Sequence, residues 1–266
     1  MVLTQGSWGL LAQENSATVS CEYTMIGDMS ETQGMYVYSD GIISGILDED
    51  DVLQGRFTFV PEAAGVYADE LVPVKYQGKW AYYDILGDKQ FGEYLEAGAF
   101  QNGKAAVKDE TGWFLIDKKG KVVSGLYEEI RLNPDGAYLK EDVMLAKQNG
   151  KWHLFDENEK TIGNFSCEDI DIVTEAGMIA FKQNEKWGYV DLEGEIIIEP
   201  EYENAKSFSE GLAAVYVDLW WGFVNEENKI VIKPAYLNAD YFNEEGSCMV
   251  QTTENTWQLL QRYVND

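Results

Sequence analysis

The stretch "KWGYVDLEGEIIIEPEY" occupies residues 186–202, and a near copy, "WWGFVNEENKIVIKPAY", occupies residues 220–236, 34 positions later. Each copy contains Trp followed by Gly, then an Asp or Asn, then an apolar run that is interrupted by Pro. Self-similarity at a fixed spacing is the signature of repeat proteins, in which each repeat forms one small structural unit. The two copies therefore predict a tandem repeat.

The same pattern runs through the whole chain, with successive Trp positions 33 to 39 residues apart. One repeat carries Ser44 in place of Trp but keeps the neighbouring Gly45 and Asp48. We therefore expect a single repeat domain over residues 1–266. Its repeat positions are Trp8, Ser44, Trp80, Trp113, Trp152, Trp187, Trp221 and Trp257.

Each repeat predicts three β-strands. In one repeat they are residues 211–218, 220–225 and 229–236, which are rich in β-formers, bounded by turn residues and too short for stable helices. An Asp or Asn four residues after the Trp position, with Gly often three residues further on, fits a tight turn between the last two strands. The turn residues are Asp48, Asp84, Asp117, Asp156, Asp191 and Asn225.

The Trp-Gly pair is interpreted as packing. Trp offers a large apolar area to one face of a strand, and Gly on the other face lets a neighbouring backbone approach closely. A three-stranded unit cannot bury such a face alone, whereas stacked units can. We therefore expect Trp187 and Trp221 to lie in the core.

The predicted fold is all-β, with about seven three-stranded units in tandem. Propeller blades usually carry four strands and roughly 40 or more residues. Three strands per repeat and steps of 33 to 39 residues favour an open or curled superhelical array. The alternative is a propeller-like closure with seven blades.

The segments "EKWGYVDLEGEIIIEPEYENAKSFSEGLAAV" (185–215) and "WWGFVNEENKIVIKPAY" (220–236) resemble the WG (KWG) repeat family of bacterial β-repeat proteins. The resemblance extends over the chain, but only Trp187 and Trp221 combine Trp-Gly with the full downstream pattern. It implies a repeat scaffold, in proteins that are often exported or attached to other domains, and no catalytic residues. The Gly is replaced in other repeats by Ala81, Phe114, His153 and Gln258.

Composition excludes several partners. The chain has 47 acidic against 20 basic residues, a net charge of -27, which repels nucleic acid and anionic membranes. No apolar run is long enough for a spanning helix, so direct membrane insertion is not expected. An extracellular or cell-surface location is expected if an N-terminal signal has been removed; otherwise the compartment stays open, as does the oligomeric state.

Catalytic, metal and cofactor sites are not predicted. His153 is the sole histidine and occupies the Gly position beside Trp152, which disfavours a catalytic role. Three distant cysteines and a single histidine provide no usual zinc set. The recurring Asp residues are predicted to cap turns rather than to bind cations, and the acidic run at residues 48–51 is predicted to be a solvated turn.

Trp220 is the one predicted binding residue. It precedes the repeat position Trp221, and strand alternation should place it on the opposite face. Either the adjacent repeat covers it or it anchors a partner, because exposed aromatic side chains are favoured contact residues. Equivalent positions are polar: Lys79, Lys151, Lys186 and Thr256.

These features predict a non-enzymatic protein-interaction scaffold that presents an acidic repeat surface to an unidentified protein partner. Repeat arrays provide such surfaces through their geometry rather than through a reactive centre. The alternative is a carbohydrate or cell-envelope binding module with aromatic platforms, which the segment "GKWAYYD" at residues 78–84 suggests.

Overall fold

The computed structural model describes residues 2–4, 7–9, 24–27, 33–254 and 256–261. Every regular element among these residues is a β-strand, so the predicted all-β class is confirmed. None of them belongs to a helix long and apolar enough to cross a membrane. The chain divides into two compact halves, Met1–Tyr138 and Leu139–Asp266. The single domain over residues 1–266 stays a prediction.

The N-terminal half contains a β1-β2 hairpin and three larger antiparallel sheets, ordered β3-β4-β5-β6, β7-β8-β9-β10 and β11-β12-β13. Its strands are β1 (Val2–Thr4), β2 (Ser7–Gly9), β3 (Met25–Ile26), β4 (Tyr36–Ser39), β5 (Ser44–Leu47), β6 (Leu53–Phe57), β7 (Ala63–Ala64), β8 (Val72–Tyr76), β9 (Lys79–Tyr83), β10 (Lys89–Tyr94), β11 (Glu96–Ala97), β12 (Lys104–Asp109), β13 (Gly112–Asp117) and β14 (Glu129–Ile130).

The C-terminal half contains the antiparallel pair β15-β16 and the sheets β17-β18-β19-β20, β21-β22-β23-β24 and β25-β26-β27. Its strands are β15 (Met144–Gln148), β16 (Lys151–Phe155), β17 (Asp169–Ile170), β18 (Met178–Gln183), β19 (Lys186–Asp191), β20 (Ile196–Tyr202), β21 (Asn204–Ala205), β22 (Leu212–Val217), β23 (Trp220–Asn225), β24 (Ile230–Tyr236), β25 (Asn238–Ala239), β26 (Ser247–Thr253) and β27 (Thr256–Gln261).

The complete sheets have one strand more than the three that the sequence pattern predicts. The extra strand is two residues long; β21, for example, follows directly on β20, the outer strand of the preceding repeat. Two residues are too few to produce an alternating pattern, which is why the sequence does not reveal this strand. Four strands per sheet remove one reason for favouring the open array over propeller-like closure, and that choice stays a prediction.

Each inner strand supplies side chains to two cores. In β22, Ala213 and Val215 pack into the core shared with sheet β17–β20. Leu212 and Ala214, on the other face, pack into the core shared with sheet β25–β27. Alternation along a strand directs neighbouring residues to opposite faces. Stacked sheets therefore bury both of their faces, as the repeat pattern predicts.

Burial at the Trp positions follows this stacking. Trp113, Trp152 and Trp221 are buried, whereas Trp187 is half-buried and packs against the core that contains Tyr189. Ser44 is buried, Trp80 is half-buried, and the side chain of Trp8 lies outside the described residues.

Trp257 departs from the expectation that the Trp positions are core residues, because 47% of it is exposed. Met249 and Leu259 lie on the same face of sheet β25–β27 and are exposed as well. Trp257, Met249 and Leu259 thus form an exposed apolar strip on this face.

Glycine after Trp makes room for the outer strand. A Cβ on Gly188 would lie 2.4 Å from the carbonyl oxygen of Ile198 and 2.7 Å from the nitrogen of Pro200. The pairing of β19 with β20 shifts register between Trp187 and Tyr189, a β-bulge that brings the outer backbone against this glycine. Gly222 meets the backbone of β24 in the same way.

Two repeats without this glycine form a poorer outer strand, whereas the repeat with Ala81 keeps the six-residue outer strand β10, in which Gly92 lies against Ala81. Gly45, Gly188 and Gly222 accompany the continuous outer strands β6, β20 and β24. Where Phe114 or His153 stands instead, the outer strand is reduced, within the described residues, to isolated bridges. These are Trp113 with Tyr127, Ile116 with Val122, Trp152 with Cys167 and Phe155 with Thr161.

Candidate functional site

The hairpin tip between β22 and β23 has an unusual sequence for its backbone conformation. Asp218 and Leu219 both have positive φ, 50° and 73°. Two successive left-handed residues form the tight turn that favours Asn-Gly. The same turn occurs at Gln77–Gly78, Asn149–Gly150 and Asn184–Glu185. Leu219 therefore occupies a position at which two other repeats carry glycine.

This tip exposes large apolar side chains. Leu219 is 72% exposed and Trp220 is 42% exposed. A left-handed conformation costs a residue with a Cβ roughly 1–2 kcal/mol. Residues held in disfavoured conformations concentrate at functional sites. Neither local conformation nor burial accounts for the Leu-Trp sequence, which makes it the first candidate contact point.

Trp220 and Trp221 lie on opposite faces of β23. Trp221 is buried in the core shared with sheet β25–β27. Trp220 pairs across the hairpin with Val217, which packs at the margin of the core shared with sheet β17–β20. Because directly paired residues share a face, Trp220 and Val217 form one apolar surface. The adjacent repeat does not fully cover Trp220.

A groove of about 400 Å³ lies between sheets β17–β20 and β21–β24, and Val217 contributes to its wall. Tyr202 and Tyr216 provide aromatic rings, and the exposed Glu201 and Glu203 flank Tyr202. Asn228 also lines the groove. The sequence does not indicate this arrangement, because the residues named here come from three separate segments of two repeats.

A hydrogen-bonded chain connects three of the lining residues. The hydroxyl of Tyr202 donates to Oδ1 of Asn228, whose Nδ2 donates to Oε1 of Glu201 at 2.6 Å. Burial, together with the charge of Glu201, raises the pKa of Tyr202 to about 12. The phenol therefore stays neutral at physiological pH, and the charge in this part of the groove belongs to the carboxylates.

A second groove, about 370 Å³, lies at the turns before β18, β22 and β26. Four glutamates line it, and one of them, Glu175, pairs with Lys140 at 2.9 Å. This groove belongs to the C-terminal half and shows that acidic residues gather at equivalent turns. The four glutamates are Glu175, Glu210, Glu244 and Glu245.

The recurring Asp residues cap turns, as predicted. Oδ1 of Asp191 accepts the N–H groups of Glu193 at 3.1 Å and Glu195 at 2.8 Å. Gly194 has a φ of 85°, which closes the turn. The other members of the series accept equivalent bonds, including Asp48 at the start of the acidic run. In the described ranges, no group of three or more His, Cys, Asp or Glu residues could hold a metal ion.

The remaining residues with reactive side chains serve packing. His153 is half-buried, and its ring lies edge-on to Phe155 at 6.2 Å. Cys167 and Cys248 are buried, and burial raises the pKa of the Cys248 thiol to about 11, so it stays protonated. Cys21 lies outside the described residues.

Two segments of the chain, residues 187–218 and 221–257, match the family model of the WG containing repeat. These segments are WG repeats. The resemblance predicted from Trp187 and Trp221 is thus confirmed where the motif is complete. Among curated protein sequences, none matches the chain.

Solved structures with the same fold share little sequence with this chain. BamB from Moraxella catarrhalis has a TM-score of 0.58 at 13% identity, covering 94% of this chain and 86% of BamB. KlHsv2 with loop 6CD replaced by a Gly-Ser linker has a TM-score of 0.51 at 8% identity, covering 90% and 97%. At these identities the likeness concerns the fold alone.

Sequence reasoning singled out Trp220, which stays a predicted binding residue, but not Leu219 or the groove. Leu219 carries a readable signal, because alignment of the repeats places it in the position of Gly78 and Gly150. No sequence signal indicates the groove, because its lining depends on how two sheets pack against each other.

Proposed function

We propose that the chain is a non-enzymatic protein-interaction scaffold, and that the exposed Leu219–Trp220 tip, with its acidic surroundings, contacts a protein partner. The observation that carries this proposal is Leu219, a bulky residue 72% exposed in a left-handed turn position. Exposed Trp side chains are among the residues that contribute most to binding at protein interfaces.

Folding alone does not require these two residues. The repeats at Gly78–Lys79 and Gly150–Lys151 form the same turn with glycine and lysine. Replacing that pair by Leu-Trp adds backbone strain and exposes apolar area, with no gain in burial. The Leu-Trp pair adds no stability to the unbound protein, whereas binding to a partner would bury both side chains.

Charge indicates the type of partner. The chain carries a net charge of -27, and both grooves of the C-terminal half are lined by glutamates. Complementary charge accelerates association and selects against wrong partners. We therefore expect a partner with a basic contact surface, and binding that weakens as salt increases.

The test is affinity capture from the native organism with wild-type protein and with the double variant Leu219→Gly/Trp220→Lys as bait. This variant restores the turn sequence of other repeats, so it should fold. The control, Leu86→Lys, removes another exposed apolar side chain at a turn position where the repeat with Lys119 has lysine. We expect the double variant alone to lose a captured protein. Equal capture by all three baits would overturn the proposal.

A second candidate function is carbohydrate or cell-envelope binding. The tyrosine rings and the Asn228 amide in the groove favour it, because sugars stack on aromatic faces and accept polar contacts. Retention on insoluble wall polymer that is unaffected by salt would support this candidate. Salt-sensitive capture of a protein without wall retention supports the scaffold.

A further inference from the structure

We propose that the groove beside Trp220 binds a lysine or arginine side chain of the protein partner, next to an apolar side chain that packs on Trp220. This inference rests on the proposed function and names the chemistry of the partner segment: an apolar and a basic residue two positions apart, on one face of an extended chain.

The lining of the groove suits a cationic side chain. Glu201 and Glu203 are exposed carboxylates on either side of Tyr202. Hydrogen bonds between a carboxylate and an ammonium or guanidinium are roughly twice as strong as neutral ones. Aromatic faces attract the same cations. The half-buried ring of Tyr216 lies in the same groove, whereas Tyr202 is buried and its ring belongs to the core shared by the two sheets.

One side of the groove already carries a cation, Lys186. Two carboxylates against one ammonium leave the lining negative. Oε1 of Glu201 accepts a hydrogen bond from Nδ2 of Asn228. Glu203 accepts no hydrogen bond and forms no ion pair among the described residues. Carboxylate oxygens thus remain for a further donor. The hydroxyl of Tyr202 is already donated to Asn228, which orients the ring.

The groove and Trp220 form a continuous surface. Val217 lines the groove and pairs with Trp220 across the hairpin. Paired Cα atoms in an antiparallel sheet are roughly 4.5–5.5 Å apart. Side chains on one face of an extended partner segment come from every second residue and stand about 6.6 Å apart, since successive side chains point to opposite faces and a strand rises about 3.3 Å per residue. One segment can therefore place an apolar residue on Trp220 and a basic residue in the groove.

The probe is the synthetic peptide acetyl-Leu-Ser-Lys-Ser-Leu-amide, which places Leu and Lys on one face of an extended chain, titrated into the ¹⁵N-labelled full chain and followed by NMR. The matched peptide carries Glu in place of Lys. We expect saturable shifts of the Trp220 indole and of residues 201–203 and 216–217 with the lysine peptide alone. The double variant Glu201→Gln/Glu203→Gln should weaken its affinity about three-fold or more.

The charge control is Glu193→Gln/Glu195→Gln, which changes net charge equally at an exposed turn of the same sheet and outside the groove. It should leave the affinity nearly unchanged. Glu203→Gln alone leaves the Asn228 contact to Glu201 intact, so its effect is separate from any loss of folding. Thermal unfolding of each variant confirms that the sheets are intact.

The outcomes separate this inference from the proposed function. Binding that needs Trp220, tested with Trp220→Lys, but not Glu201 or Glu203 overturns the cation site and leaves the scaffold standing. Equal binding of the glutamate peptide overturns it as well. If neither Trp220→Lys nor the glutamate variants change the affinity, both proposals fail.

Discussion

A Cβ atom on Gly188 would stand 2.4 Å from the carbonyl oxygen of Ile198, closer than side-chain carbons approach a backbone oxygen. The outer strand β20 can lie against β19 only because this position has no side chain. Trp187 beside it packs into a core. Trp-Gly is thus a structural pair, with one residue for packing and one for close approach.

Differences in burial predict that the Trp positions contribute unequally to the free energy of unfolding. Trp152 is 2% exposed and Trp257 is 47% exposed. Trp152→Ala should lower the free energy of unfolding by about 3–5 kcal/mol, because it removes a large buried side chain. Trp257→Ala should lower it by less than about 1 kcal/mol. Urea unfolding measures both, and equal losses would contradict the stacking described above.

The strained turn predicts a stabilising substitution. Leu219→Gly should raise the free energy of unfolding by about 0.5–1 kcal/mol, because glycine adopts the left-handed conformation without strain and Leu219 buries little. Gly78 already holds the equivalent position. Urea denaturation provides the comparison with wild type. A clear loss of stability would show that Leu219 serves the fold.

The capped turns predict a pH dependence. The N–H groups of Lys121 and Lys119 each donate to Oδ1 of Asp117 at 2.9 Å and hold the pKa of this carboxyl below its ordinary value. The contribution of this carboxylate to folding stability is therefore fully present above its pKa in the unfolded chain, about 3.9. It is lost as the pH falls through its lower pKa in the folded protein.

Asp117→Asn removes this charge while keeping the turn, as Asn225 does in another repeat. We expect wild type to be more stable than the variant at neutral pH, and the difference to shrink as the pH falls below about 4. Chemical unfolding at several pH values follows the difference. A stability difference between wild type and variant that does not change with pH would show that the carboxylate charge does not cause it.

The sequence predicts the parts of the fold that repeat. Near-constant spacing, the Asp turns and the Trp-Gly pair all follow from local patterns, and the structure bears them out at Asp191 and Gly188. The short strand β21 escapes prediction because two residues leave no alternation. The exposure of Trp257 cannot be predicted from the sequence, because the repeat pattern does not indicate which sheet face is exposed.

The candidate site is less predictable than the fold. Trp220 stands out because its repeat position is otherwise polar, and Leu219 stands out because two other repeats carry glycine at its position. The groove joins Glu201, Tyr216 and Asn228 through the packing of two sheets, and no local pattern encodes such a contact.

The most direct test of Trp-Gly as a structural pair is the free energy of unfolding of Gly188→Ala, with Gly125→Ala as the control. A Cβ on Gly125 would meet no atom within 4 Å. Gly188→Ala should lose about 1–3 kcal/mol, because its Cβ displaces the outer strand. Gly125→Ala should stay within about 0.5 kcal/mol of wild type. A Gly188→Ala protein as stable as wild type would contradict the account.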